Sequence, residues 1–263
     1  MIIDIHAHTT NNTLWDLHVK NARIEDLELL MEKYGLGLVV LMATYFPFKK
    51  GGLPNRELLK RIKGRPKFGM FLSLDAMNKP AEGIAEIQEL IADPAVVGIK
   101  LYPGYQDFDC ASEMLSPLYR AAEAYGKPVA FHTGELHHCC PKDEREKKKY
   151  KCAGKCRIDE LGHLARPKAI AEAIRKFPNV NFILSHLGNP FFAEAREVLA
   201  AYPNVYTDIS GQLVSGSQED TAGYKSQIRE EIKKFLELPG GIDRVMFGTD
   251  FPIQSYADSV GLI

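Results

Sequence analysis

NVNFILSHLGNPFFAEAREVLAAYPNVYTDIS, residues 179–210, is the stretch that decides the fold. It contains two short apolar runs, VNFILSH (180–186) and NVYTDIS (204–210). Between them, FFAEAREVLAAY (191–202) follows a proline and carries its apolar residues at helical spacing. A strand that reaches the next strand through a helix makes a parallel pair, the βαβ unit.

Outward from this stretch the unit repeats. Apolar runs stand at IIDI (2–5), GLVVLM (37–42), KFGMFLSL (67–74), VVGIKLY (96–102), PVAFH (128–132) and DRVMFGTD (243–250), making eight strands with the first two. RIEDLELLMEKYG (23–35), PAEGIAEIQELIAD (80–93), SPLYRAAEAYG (116–126) and PKAIAEAIRKF (167–177) read as helices between them. Such alternation predicts an α/β fold, a (β/α)8 TIM barrel; an open doubly wound sheet is the alternative. The 263 residues suit a single barrel domain over 1–263. Only FPIQSYADSVGLI (251–263) follows the eighth run, so either the last helix is short or the chain continues.

Apolar residues make up 45% and charged residues 25% of the chain, and the formal net charge is −1. That balance lacks the basic excess that draws a protein to nucleic acid or to an anionic membrane. No apolar run approaches the ~20 residues of a membrane span. The N-terminus has neither the basic nor the apolar region of a signal peptide. The expectation is a cytoplasmic protein acting on a small molecule, with no nucleic-acid or membrane partner; a homo-oligomer is left open.

In barrels of this kind the chemistry sits at the C-terminal ends of the strands. Strict alternation would put Asp4, His6 and His8 on one face of the first strand, opposite Ile3, Ile5 and Ala7. Lys100 lies in strand four, His132 and His186 end strands five and six, and Asp250 ends strand eight. Each alone has an ordinary explanation: a hydrogen-bonded histidine, a turn or capping aspartate, a solvated lysine. Together they bring four imidazoles and a carboxylate to one end of one barrel, which predicts a metal site. The donors suit Zn2+, one ion or two, and also Mn2+, Fe2+, Co2+ or Ni2+. Water on such an ion has its pKa lowered to about 7, and Asp250 is the candidate general base for its proton.

DIHAH, GIKLYPGYQ, FHTGE, ILSHLGNP and FGTDFP, in that order at strand ends, resemble the amidohydrolase superfamily. They look closest to its amidohydrolase-2 branch of metal-dependent barrel hydrolases, and the resemblance runs from residue 2 to about 253. It implies that His6 and His8 bind the first metal together with Asp250. In one-metal members, the residue at His132 completes that site and the one at His186 polarises the substrate or acts as acid. In two-metal members, His132 and His186 would hold a second ion, and a carboxylated Lys100 would bridge the pair. A lysine at this place also occurs in one-metal relatives, where it could hold an anionic substrate group; both readings stay open. The implied activity is hydrolysis of a small amide, ester or lactone. The alternative is non-oxidative decarboxylation of a small aromatic or unsaturated acid, with Lys100 or an arginine holding the acid and Asp250 protonating carbon. A barrel that binds without turnover fits less well, because the ligand set is complete.

ELHHCCPKDEREKKKYKCAGKCRIDELGHLA (135–165) breaks the rhythm after strand five, far exceeding the ~2–6 residues usual for such a loop. Of the five cysteines, Cys139, Cys140, Cys152 and Cys156 fall here and Cys110 does not. Cys152 and Cys156 are spaced to share one side of a helix. A structural Zn2+ on two to four of these thiols, with His137, His138 or His163 as a substitute, is one reading; a disulfide and free thiols are the others. The charge run KDEREKKKYK (142–151) reads as a solvated helix face. The insertion leaves the catalytic end of strand five, so a lid is expected. The loops 43–55, 103–112 and 210–223 are expected to shape the pocket.

Overall fold

A computed structural model describes residues 2–45, 52–137 and 157–263. Its eight strands are β1 (Ile2–Ala7), β2 (Leu36–Met42), β3 (Phe68–Ser73), β4 (Val96–Leu101), β5 (Val129–Phe131), β6 (Phe182–Leu184), β7 (Val205–Asp208) and β8 (Val245–Met246). Each pairs in parallel with the next, in chain order. Beyond β8 the chain returns to β1: Ile5 N donates to Phe247 O at 3.1 Å and His8 N to Phe251 O at 2.7 Å. The sheet is therefore a TIM barrel rather than an open doubly wound sheet.

The connecting helices are α1 (Ile24–Tyr34), α2 (Asn55–Ile62), α3 (Pro80–Leu90), α4 (Ser116–Ala124), α5 (Ile158–Leu161), α6 (Pro167–Lys176), α7 (Phe192–Ala201), α8 (Ala222–Leu236) and α9 (Tyr256–Gly261). Two of them, α2 and α8, fall in or beside stretches expected to be loops. In NRELLKRI the apolar residues are Leu58, Leu59 and Ile62 among charges, too short a pattern to stand out. The start of α8 was legible: the Thr221 hydroxyl accepts from Tyr224 N at 3.1 Å, and Ile228, Ile232 and Phe235 make the buried stripe. Among the described residues no helix is long and apolar enough to cross a membrane.

The core has two layers. Leu41, Leu72, Ile99, Phe131 and Leu184 face outward and pack with Leu27, Ile87, Leu118 and Ile174 of the helices. Val40, Met42, Phe71, Ala130 and Ile183 fill the barrel interior, with Ile5, Leu38, Val97, Tyr206 and Met246 against them. The interior is crowded: a Cβ on Gly98 would lie 2.4 Å from the Phe71 ring and 2.7 Å from Pro128 O, so only glycine fits beneath Lys100.

Most of the observed strands end earlier than their apolar runs suggest. Past the ends of β6, β7 and β8, carboxylates take backbone donors that would otherwise extend the ladder. Asp208 Oδ1 accepts from His186 N and Ser210 N, each at 3.0 Å, and Asp4 Oδ1 accepts from Thr249 N at 3.1 Å.

Of the insertion, 138–156 lies outside the described residues, and with it the proposed cysteine site and the charged helix face. Its described flanks pack on the catalytic end, Leu136 and Ile158 clustering with Tyr102, Tyr105 and Ala165. His163 is exposed and its Nδ1 meets the Glu160 carbonyl at 3.0 Å. Cys110 is a buried free thiol, pushed up from its ordinary pKa by burial.

Candidate metal centre

The register of β1 on β2 shifts between Asp4 and Ala7, and this irregularity builds the site. Ile5 still joins the interior cluster, and His6 turns inward as well. Asp4, expected on the same face as His6, turns outward instead. Its Oδ2 accepts from Tyr256 OH of α9 and from Thr249 Oγ1, both at 2.7 Å, and its Oδ1 from His6 N at 3.0 Å. Asp4 thus ties the first histidine to the segment just before Asp250. Burial raises its carboxyl to about 6 despite these donors.

Asp250 is docked on β1 by its backbone: Asp250 N donates to His6 O at 2.7 Å. It sits at φ 57°, and His186 and Leu187 at φ 64° and 53°. Left-handed conformations in non-glycine residues are uncommon and concentrate at functional sites. Asp250 Oδ1 lies 3.1 Å from His8 Nε2 and 3.6 Å from His6 Nε2. Burial works to raise the Asp250 carboxyl, but the hydrogen bond from His8, with the neighbouring histidines, outweighs it and holds it below the usual carboxylate range.

The fit to a metal follows from proton positions. His6 Nδ1 faces Asp208 Oδ2 at 3.1 Å, an acceptor, so Nδ1 is a donor there. Nε2, on the other side of the ring, faces the anionic Asp250 Oδ1. Held 3.6 Å apart, the two atoms have about the separation of neighbouring ligands on a tetrahedral zinc ion with bonds near 2.1 Å. His6, His8 and Asp250 offer donor atoms that all lie within 4.8 Å of one another. The donor set present therefore fits a divalent ion.

His132 and His186 adjoin this group. His132 Nε2 donates to Glu135 O at 3.1 Å, and His186 Nδ1 meets Ser210 O at 3.1 Å. His132 Nδ1 and His186 Nε2 then face each other at 3.2 Å. Burial lowers His186 to about 3, so its ring is neutral at neutral pH. His6, His186 and Asp208 also satisfy ligand spacing. There, however, the Ser210 hydroxyl already fills the centre, 3.0 Å from His6 Nδ1 and 2.9 Å from His186 Nδ1. Asp208 and Ser210 were not read as site residues from the sequence.

Lys100 is fully buried at the top of β4, its Nζ donating to Ser185 Oγ. Burial lowers its pKa to about 8 against the opposing pull of Asp208 and Asp250. Between about 8 and its unfolded value near 10.4 the unfolded chain binds the extra proton, so stability rises with pH. Below that window the buried charge costs on the order of 3 kcal/mol. Metal-free Lys100→Met is therefore expected to melt above the wild type at pH 7, with the gap closing toward pH 10.5. A melting difference that does not change with pH would show that Lys100 carries no such burial cost.

Solved structures share this architecture. An uncharacterized TIM-barrel protein from Bordetella bronchiseptica aligns at TM-score 0.70 and 19% identity, covering 99% of this chain and 89% of that one. A probable 2-pyrone-4,6-dicarboxylic acid hydrolase from Acinetobacter baumannii aligns at 0.65 and 14%, covering 99% and 90%. The 5-carboxyvanillate decarboxylase of Sphingomonas paucimobilis aligns at 0.64 and 14%, covering 99% and 91%. These likenesses speak for the fold. No curated protein matches the chain significantly. The sequence profile of the amidohydrolase family, Amidohydro_2, matches residues 3–262, nearly the whole length. The chain belongs to this family of metal-dependent enzymes.

Proposed function

We propose that the protein is a hydrolase of a small amide, ester or lactone, with His6, His8 and Asp250 holding a divalent ion, Zn2+ being the simplest choice. The observation that carries this reading is the convergence of His6, His8 and Asp250, whose donor atoms all lie within 4.8 Å of one another. A divalent ion held there supplies Lewis acidity and lowers the pKa of water. Asp250 is ionised at neutral pH and accepts a proton as general base. His8, half-buried, brings Nε2 to 3.1 Å from Asp250 Oδ1, close enough for both atoms to reach one ion. His186 does not serve as acid in this reading: its one proton is on Nδ1 and burial opposes a second. With His132 it supplies a facing pair of nitrogens suited to a second ion.

The buried cation Lys100 favours a second reading, loss of CO2 from a small acid whose carboxylate pairs with Lys100. A structural relative named as a hydrolase and another named as a decarboxylase leave both within reach of this barrel. The test is to strip the protein, reload it with Zn2+ or Mn2+, count ions per chain by elemental analysis, and assay lactones, esters, amides and aromatic acids. Acid release without CO2 is the expected result. CO2 evolution from an aromatic acid would replace it with the second reading, and stoichiometric metal without turnover on any class would overturn both.

A further inference from the structure

We propose that Asp208 and Ser210, at the end of β7, decide which ring nitrogen His6 and His186 present, and are positioning residues of the donor set. The inference rests on the metal reading above for its purpose, but not for its geometry. Asp208 is fully buried and both its oxygens accept hydrogen bonds. Oδ1 takes His186 N and Ser210 N at 3.0 Å each and the Ser210 hydroxyl; Oδ2 takes His6 Nδ1 at 3.1 Å.

Because the Ser210 proton goes to Asp208, the Ser210 oxygen can only accept from the two rings, 3.0 Å from His6 Nδ1 and 2.9 Å from His186 Nδ1. The Ser210 carbonyl accepts from His186 Nδ1 as well, at 3.1 Å. These neighbours of the two Nδ1 atoms are all acceptors. Both Nδ1 atoms are thereby fixed as donors, and both Nε2 atoms are turned toward the barrel mouth, one facing Asp250 and the other His132. The same carboxylate holds the His186 backbone N–H in its left-handed turn, so one residue of β7 aligns groups from β1 and β6. Carboxylates behind metal-binding histidines commonly fix tautomer and ring orientation; here one carboxylate, through one hydroxyl, serves two rings.

Asp208→Asn inverts the pattern. Three donors converge on the Oδ1 position, so the amide oxygen must take it, and the NH2 group points at His6 Nδ1. His6 then becomes the acceptor there and its proton moves to Nε2. Zn2+ affinity, measured by chelator competition, is expected to fall about 10–100-fold. Two-bond 1H–15N correlation spectra of the metal-free variant should show His6 protonated on Nε2. Retention of the Nδ1 proton in the variant, or Zn2+ affinity unchanged, would overturn the proposal. So would an Nε2 proton on either histidine in the metal-free wild type, a result that needs no variant to fold. Expected tautomers in a wild type that binds no Zn2+ would sink the metal reading and leave this one standing.

Discussion

Asp250→Asn is expected to fold, to keep Zn2+, and to lose about 100-fold or more of kcat. The substitution is clean for a structural reason. Residue 250 sits at φ 57°, a conformation asparagine tolerates nearly as well as aspartate. Its backbone bonds, N to His6 O at 2.7 Å and O from Ile253 N at 2.9 Å, do not involve the side chain. The amide oxygen can replace Oδ1 against His8 Nε2, so the three-donor group survives with one charge fewer. What the amide cannot do is take a proton. Turnover within threefold of the wild type, at full metal content, would remove Asp250 from the role of general base.

Gly211→Ala is expected to damage both stability and metal binding. Gly211 lies at φ +58°, where an alanine costs about 1–2 kcal/mol of backbone strain. Its Cβ would also stand 2.8 Å from His186 Nδ1 and 2.9 Å from Asp250 Oδ2. Neither atom can yield without leaving the arrangement that holds it: His186 Nδ1 is bonded to Ser210, and Asp250 faces His6 and His8. With about 2–4 °C of melting temperature per kcal/mol in chains of this size, a loss of roughly 5 °C is expected, together with incomplete Zn2+ loading. Gly240→Ala is the control. Gly240 also has positive φ, 68°, but its Cβ would approach nothing closer than the flexible Arg244 guanidinium at 3.7 Å. Equal Zn2+ binding by the two variants would show that the crowding at Gly211 is not felt by the site.

Much of the site was legible because its donors end strands. His6, His8, His132, His186 and Asp250 each close an apolar run, and in a parallel barrel all such ends meet. Asp4 could be read as a support, but the other residues that orient them left no comparable mark. Asp208 in VYTDIS looks like any strand-terminal aspartate, and its partner His6 is 202 positions away. Gly211 follows it as an unremarkable loop glycine. The outward turn of Asp4 was hidden for a related reason: alternation is a property of a regular strand, and the shift between Asp4 and Ala7 arises only when β1 is paired with β2. The helix α8 is a different case, since its capping threonine and apolar stripe were present in the chain and readable.

By itself the sequence determined the barrel and put candidate donor side chains at its strand ends, because strand periodicity and strand-end position are local properties. Only the tertiary structure decided which nitrogen each histidine presents, which carboxylate faces the metal donors and which supports them, and how little room Gly211 leaves. Those are relations between β1, β6, β7 and β8, set by hydrogen bonds and van der Waals contacts across the barrel, and no single segment contains them.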